Sequence, residues 1–89
     1  MTTGAATQVH SPVYDRRYLA LPEKVRARVD AAVYAMGLRL GSFSHHRMKG
    51  TTDCRLRVGE YRVIYKVDIE ENTIVLLTVR HRRDIYRKS

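Results

Sequence analysis

Residues 53–87 read DCRLRVGEYRVIYKVDIEENTIVLLTVRHRRDIYR and decide the fold. Apolar residues recur at every second position in the first half of this stretch, as an amphipathic antiparallel ribbon requires. Gly59 and Glu60 lie between two such runs. Glycine at the first position of a two-residue loop is typical of a type II′ turn. The pattern therefore predicts a β-hairpin that turns at these two residues.

The position of the turn determines which residues face each other across the hairpin. The predicted pairs are Val58 with Tyr61, Arg57 with Arg62, Leu56 with Val63, and Arg55 with Ile64. One face then carries the apolar residues Leu56, Val58, Tyr61 and Val63, and we expect it to contact the core. The other face carries Arg55, Arg57 and Arg62, with Lys66 further along.

The basic face is unfavourable for stability, because like charges directly opposed in a sheet repel each other. We therefore infer that an anion binds between the guanidinium groups. Arg62 is expected to face solvent beside Arg57 without apolar contacts. Its replacement by alanine should then leave the fold intact.

Residues 73–79 form a third run, which is apolar without alternation. This composition predicts a strand in the middle of a sheet that is covered on both faces. The run leads directly into residues 80–88, RHRRDIYRK, so that basic side chains, a histidine and a tyrosine follow the predicted central strand.

The composition favours a negatively charged partner. The chain has 89 residues, a formal net charge of +8 and a pI near 10.2, which suit a polyanion or an acidic protein, although a merely soluble basic surface is the alternative. The single cysteine, Cys54, is interpreted as a small space-filling residue at the start of a strand. The first ten residues show no apolar leader, and residues 74–79 are too short to span a membrane, so we expect no membrane association and a cytoplasmic location.

The remaining chain predicts a strand and two helices before the hairpin. Residues 1–7 are small and polar and are expected to be a disordered lead-in to a folded domain at residues 8–89. Residues 8–10 fit a short edge strand, and Ser11 followed by Pro12 fits the start of a helix. A second helix should begin near Pro22 and end at Gly37 or Gly41. Its apolar stripe consists of Val25, Val29, Ala32, Val33, Met36 and Leu40.

Residues 41–52 are predicted to be a loop long enough to suspect a function. His45 and His46 are adjacent, but no cysteine or carboxylate at suitable spacing completes a metal site, so we predict neither a metal nor another cofactor. Phe43 and Met48 are expected to hold the loop against the core. Together the segments predict a small single α+β domain (α/β in the broad sense). Its mostly antiparallel sheet should carry an N-terminal two-helix hairpin and a short C-terminal helix.

Four segments resemble the RelE/ParE superfamily of bacterial toxins: LPEKVRARV at 21–29, MKG at 48–50, LRVGEYRVIYKVD at 56–68 and HRRDIYR at 81–87. The resemblance covers residues 8–88 and is closest to the RelE branch, the toxins of toxin–antitoxin pairs. It implies a small domain with two helices on one face of a mostly antiparallel sheet. It also implies a metal-independent endoribonuclease, an mRNA interferase that in many members cuts mRNA in the ribosomal A site and leaves a 2′,3′-cyclic phosphate.

The resemblance also implies roles for individual residues. The family's basic pair on the second strand, often lysine, corresponds to Arg55 and Arg57. The catalytic set that the resemblance implies is Arg55, Arg57, Arg62, His81, Arg82 and Tyr86. Further RNA contacts are expected from Lys49, Lys66, Arg80, Arg83 and Arg87.

Metal-free RNA cleavage requires a base for the 2′-hydroxyl, cationic donors for the phosphorane and an acid for the 5′-oxygen. Arginine serves as a charge stabiliser rather than as an acid. Tyr86 and His81 are both candidates for the base. Strand alternation turns His81 away from the face of Arg80, and arginines favour the phenolate form of a tyrosine, so we expect Tyr86 to be the base. The structural alternative for Tyr86 is a ring packed on the sheet.

Three functions remain open on the sequence. The first is a RelE-like ribonuclease, which the arginines and Tyr86 favour. The second is a ParE-like toxin that inhibits DNA gyrase through protein contacts, and the third is an RNA-binding module without catalysis. The resemblance implies a hetero-oligomer with an acidic antitoxin that wraps the toxin as an extended or helical segment, in addition to mRNA and the ribosome as partners.

Overall fold

The computed structural model describes residues 4–86, except for the side chains of the last two. Within these residues the elements are β1 (Thr7–His10), α1 (Pro12–Leu19), α2 (Glu23–Gly37), β2 (His46–Arg47), β3 (Cys54–Val58), β4 (Tyr61–Asp68), β5 (Thr73–His81) and α3 (Arg82–Tyr86). The strands form one sheet in the order β1-β5-β4-β3-β2, parallel only between β1 and β5. The predicted α+β fold, with its helix pair and short terminal helix, is confirmed. No described helix is long and apolar enough to cross a membrane.

The β3–β4 hairpin has the predicted register. Arg57 pairs with Arg62 and Val58 with Tyr61, on either side of the two-residue turn. Gly59 has a φ of 59° and Glu60 does not have a positive φ. This combination is the one that a type II′ turn requires. The turn also holds the start of α3, because the backbone N–H of Arg82 donates to the carbonyl of Glu60 at 2.7 Å.

Both long helices pack on one face of the sheet. The side chain of Ser11 caps α1 as predicted by accepting a hydrogen bond from the N–H of Tyr14 at 3.0 Å, and its hydroxyl donates to the carbonyl of Leu77 at 2.7 Å. α2 ends at Gly37, with Pro22 preceding its first residue. The buried core consists of Ala6, Tyr14, Leu21, Val29, Val33, Met36 and Leu40 together with Cys54, Val58, Val63, Tyr65, Ile74, Leu76 and Val79 from the sheet. The opposite face of the sheet is left open by α1 and α2.

Two predictions about the chain's edges and centre need correction. β5 is an interior strand, but it is not covered on both faces: Leu76 is buried whereas Val75 and Leu77 are partly exposed. A register shift between β4 and β5 skips Leu77, which explains why the sequence of β5 does not alternate regularly. The edge strand β1 begins at residue 7, one residue earlier than predicted, and Ala6 before it is buried. Residues 1–3 lie outside the described part, and the domain boundary itself stays a prediction.

The predicted loop 41–52 contains the short strand β2, which pairs with the start of β3. His45 holds this segment in place through both ring nitrogens, with Nδ1 2.7 Å from the hydroxyl of Tyr65 and Nε2 2.9 Å from the carbonyl of Leu40. Burial raises the pKa of Tyr65, so its phenol remains available as a donor to His45. Phe43 packs against the core as predicted, whereas Met48 is half-buried and is not part of the core cluster.

Candidate functional site

Three arginines form a row across three adjacent strands on the open face. Arg57 of β3 pairs with Arg62 of β4, which in turn pairs with Arg80 of β5. Directly paired residues in an antiparallel sheet point to the same side, so the three side chains share one face. We call these residues the arginine row. The Arg57–Arg62 pair is the predicted one, and Arg80, expected only as an RNA contact, extends it by one strand.

A second row runs parallel to the first on the same face. It consists of His46, Arg55, Ile64 and Thr78, contributed by β2, β3, β4 and β5. Ile64 is buried but does not belong to the core under the helices. The aliphatic stems of neighbouring arginines are suited to cover such an apolar residue while their charged ends remain accessible.

Arg62 is buried, which corrects the expectation that it faces solvent. Only 5% of Arg62 is exposed, and its Nη1 donates to the carbonyls of Gly59 at 3.2 Å and Tyr61 at 3.0 Å. The physical reason is its central place in the arginine row, since neighbours on both sides exclude water from it. Arg62 therefore helps to hold the hairpin turn as well as contributing charge to the open face.

Two buried polar atoms on β5 have no hydrogen-bond partner within the described part of the chain: Nε of Arg80 and Oγ1 of Thr78. An unsatisfied buried donor costs about 1–3 kcal/mol. The two residues alternate along β5 and so lie on the open face. An anion with acceptor oxygens bound at this face could supply the partner that Nε of Arg80 lacks.

A cavity of about 390 Å³ adjoins the arginine row. Its lining residues are Phe43, Ser44, His46, Arg55, Leu56, Arg57 and Arg62. Three of the predicted catalytic arginines are thus brought together. His46 also lines the cavity. The sequence suggests it only as a metal ligand, because a two-residue strand leaves no periodic signal from which its face could be predicted.

His81 lies apart from the arginine row. It pairs with Tyr61 on the helix-covered side, with ring centroids 5.1 Å apart, so the predicted separation from Arg80 is confirmed. Its Nδ1 accepts the backbone N–H of Arg83 at 3.2 Å. In the neutral ring the proton must then reside on Nε2, which leaves no free acceptor nitrogen.

The other predicted residues are more dispersed. Arg82 turns towards the hairpin turn, with Nη1 3.4 Å from Oε1 of Glu60. Lys66 is paired with Asp53 at 2.6 Å, while Lys49 and Arg83 are exposed. Tyr86 closes α3, but its side chain, like the whole of Arg87, lies outside the described residues. Among residues 4–86, no group of three histidine, cysteine or carboxylate residues could hold a metal ion.

Known proteins are similar to this chain both in sequence and in fold. The family model described as the ParE toxin of the parDE type II toxin–antitoxin system matches residues 14–86. Toxin RelG of Mycobacterium tuberculosis is 40% identical over 73 residues, which cover 73% of this chain and 82% of that protein.

Solved structures with less sequence identity show the same fold. The RelBE2 toxin–antitoxin complex of M. tuberculosis matches with a TM-score of 0.72 at 24% identity, covering 90% of this chain and 94% of that one. The isolated E. coli RelE toxin matches with a TM-score of 0.74 at 15% identity, covering 96% and 88%. The chain therefore belongs to the RelE/ParE superfamily of toxins of type II toxin–antitoxin systems.

Proposed function

We propose that this toxin is a metal-independent endoribonuclease that cleaves mRNA by attack of a 2′-hydroxyl on the adjacent phosphate. The observation that carries the proposal is the arginine row, which borders the cavity through Arg57 and Arg62. Within the described residues, Nε of Arg80 in this row is buried without a hydrogen-bond partner. A phosphodiester satisfies such a surface with charge-assisted hydrogen bonds. Charge that develops on the phosphorane strengthens these bonds in the transition state, as catalysis requires.

The residues divide the chemistry between them. Arg57 and Arg80 bind the non-bridging oxygens, with Arg55 at the mouth of the cavity, and the central Arg62 adds charge from a fixed position. Tyr86 is the base in this proposal. His81 is less suited to that role, because it lies on the other face and its Nδ1 is already occupied by a backbone N–H.

In this proposal further basic residues extend the site along the RNA. We assign Lys49, Arg83 and Arg87 to contacts with flanking phosphates, and Arg82 to the edge of the site beside the hairpin turn. Lys66 contributes less to RNA binding, because Oδ1 of Asp53 lies 2.6 Å from its Nζ and neutralises its charge. We further propose that cleavage takes place in the ribosomal A site, where the ribosome aligns the mRNA for in-line attack.

An antitoxin is the proposed protein partner. The relevant structural neighbours are RelB–RelE complexes, from Methanococcus jannaschii among others. A net charge of +8 predicts that the antitoxin of this chain is acidic where it touches the open face. Covering the arginine row or displacing α3 would each prevent access of RNA.

Gyrase inhibition is the second candidate, because the matching family model is that of the ParE toxin. A toxin that acts through protein contacts alone does not require a buried, unsatisfied guanidinium nitrogen or a cavity lined by arginines. The geometry therefore favours the nuclease.

The decisive experiment incubates the purified toxin with programmed ribosomes and maps the transcript by primer extension, with a gyrase supercoiling assay in parallel. We expect cuts in the A-site codon and unaffected supercoiling. Tyr86→Phe should lower the single-turnover rate at least ~100-fold, and His81→Ala should cost less. Arg16→Ala, an exposed arginine on α1, is the matched charge control. Inhibited gyrase with an intact transcript would refute the nuclease, and a larger loss for His81→Ala would reverse the choice of base.

A further inference from the structure

We propose that His46 is the general acid of the cleavage reaction and protonates the 5′-oxygen as it leaves. The inference rests on the proposed ribonuclease function and adds a residue to the same site. His46 begins β2 at the edge of the sheet and pairs with Arg55. It is exposed and lines the cavity together with Arg55, Arg57 and Arg62.

His46 differs from the other histidines in its hydrogen bonds. His10 contacts Gln8 and Asp15, His45 uses both ring nitrogens, and Nδ1 of His81 accepts a backbone N–H. The side chain of His46 forms no hydrogen bond or ion pair within residues 4–86. Both of its nitrogens are therefore available to a ligand in the cavity.

The other described residues that line the cavity include no suitable proton donor. Arginine stays protonated at any accessible pH, so the arginine row can stabilise charge but cannot deliver a proton. The hydroxyl of Ser44 in the cavity lining is too weak an acid for this purpose. Histidine is the side-chain type that both gains and loses a proton near neutral pH, and His46 is the histidine on this face.

The strand order also suits an in-line displacement, in which the attacking and leaving oxygens lie on opposite sides of the phosphorus. β2 lies at the edge of the sheet, one strand beyond the β3 end of the arginine row. α3 starts at the end of β5 beside the hairpin turn, where the N–H of Arg82 donates to the carbonyl of Glu60. A phosphate on the row therefore has His46 towards the β2 edge of the sheet and the start of α3 towards the turn end of the strands.

The proposed step balances as follows. The 2′-oxygen forms a bond to phosphorus while its proton passes to the phenolate of Tyr86, and the bond from phosphorus to the 5′-oxygen breaks. The imidazolium of His46 gives its proton to that oxygen. Water afterwards takes the proton from Tyr86 and returns one to His46. The products are a 2′,3′-cyclic phosphate and a 5′-hydroxyl.

The test replaces the leaving oxygen by sulfur. The cleaved linkage is first mapped with the unmodified transcript, and a transcript with a 5′-bridging phosphorothiolate at that linkage is then presented on programmed ribosomes. A thiolate leaves without protonation, because a thiol is far more acidic than an alcohol. We expect the His46→Ala variant to cleave the oxygen linkage at least ~100-fold more slowly than the wild type. The same variant should cleave the sulfur linkage at the wild-type rate.

Controls separate proton donation from other roles. Tyr86→Phe should be slow on both linkages, and His10→Ala, a histidine on β1 outside the site, should be unaffected on both. A His46→Ala variant that is equally slow on both linkages, or normal on the oxygen linkage, would overturn the proposal. Recovery of the oxygen-linkage rate in His46→Gln would also overturn it, because glutamine keeps a hydrogen bond without a transferable proton. A wild-type toxin that cuts neither transcript would refute the nuclease function itself.

Discussion

Replacing Arg62 by alanine is expected to destabilise the toxin as well as inactivate it. The variant loses the two hydrogen bonds from Nη1 to the carbonyls of Gly59 and Tyr61, and it leaves a void in the middle of the arginine row. Hydrogen bonds from a charged group contribute roughly 1.5–3 kcal/mol each, but these carbonyls lie at a turn that water can reach, and removal of a desolvated charge offsets part of the loss.

We expect a net loss of about 1–3 kcal/mol for Arg62→Ala, which for a domain of this size lowers the thermal midpoint by roughly 5–15 °C. Thermal and urea unfolding followed by circular dichroism measure it. Arg57→Ala is the matched control, since Arg57 is exposed and forms no hydrogen bond in the described part of the chain. It should unfold at or slightly above the wild-type midpoint. If Arg62→Ala is as stable as Arg57→Ala, Arg62 has no structural role and our account of its burial is wrong.

Two further perturbations test the turn and the core. Gly59→Ala should lower the free energy of unfolding by about 1–2 kcal/mol, because a φ of 59° strains any residue with a side chain. The added methyl group would also meet the side chain of Arg28, which is flexible and can move away at little cost. Gly41→Ala is the control and should be neutral, because a methyl group there meets nothing within 4 Å. An unchanged urea midpoint for Gly59→Ala would contradict the turn geometry. Burial raises the pKa of Tyr14. Above about pH 10 the unfolded state therefore releases a phenol proton that the folded state keeps. The free energy of unfolding should fall as the pH rises from there. Urea titrations at several pH values should show a shallower fall of stability with pH for Tyr14→Phe, and an unchanged fall for Tyr34→Phe at an exposed tyrosine. If the two variants lose stability with pH equally steeply, Tyr14 is not the source of the fall.

The sequence predicts the hairpin well because its signals are local. Gly59 determines the turn, the turn determines the register, and the register places Arg57 opposite Arg62. Features that depend on neighbours in space were missed or misjudged. Arg62 is buried because of Arg57 and Arg80, and Arg80 is not its neighbour in sequence.

The same distinction applies to the two histidines. Alternation correctly turns His81 away from the arginine row, because residues 78–81 follow the register shift at Leu77 and pair regularly with β4. β2 has only two residues, so no period could place His46 on the open face. Its position follows from pairing with β3, which only tertiary structure reveals.

The two faces of the sheet differ in the way that our proposal of anion binding requires. The face under the helices buries apolar side chains, whereas the open face holds like charges together and offers Nε of Arg80 no partner from residues 4–86. Each of these features raises the free energy of the unbound protein, and the anion that we propose to bind here would relieve each of them. A residue whose role is only to bind that anion should therefore be replaceable with a gain in stability and a loss of activity, as we expect for Arg57. Arg62 should lose both, because its guanidinium also holds the turn. The sign of the stability change, measured beside the rate, thus distinguishes an arginine that acts on the ligand alone from one that also builds the site.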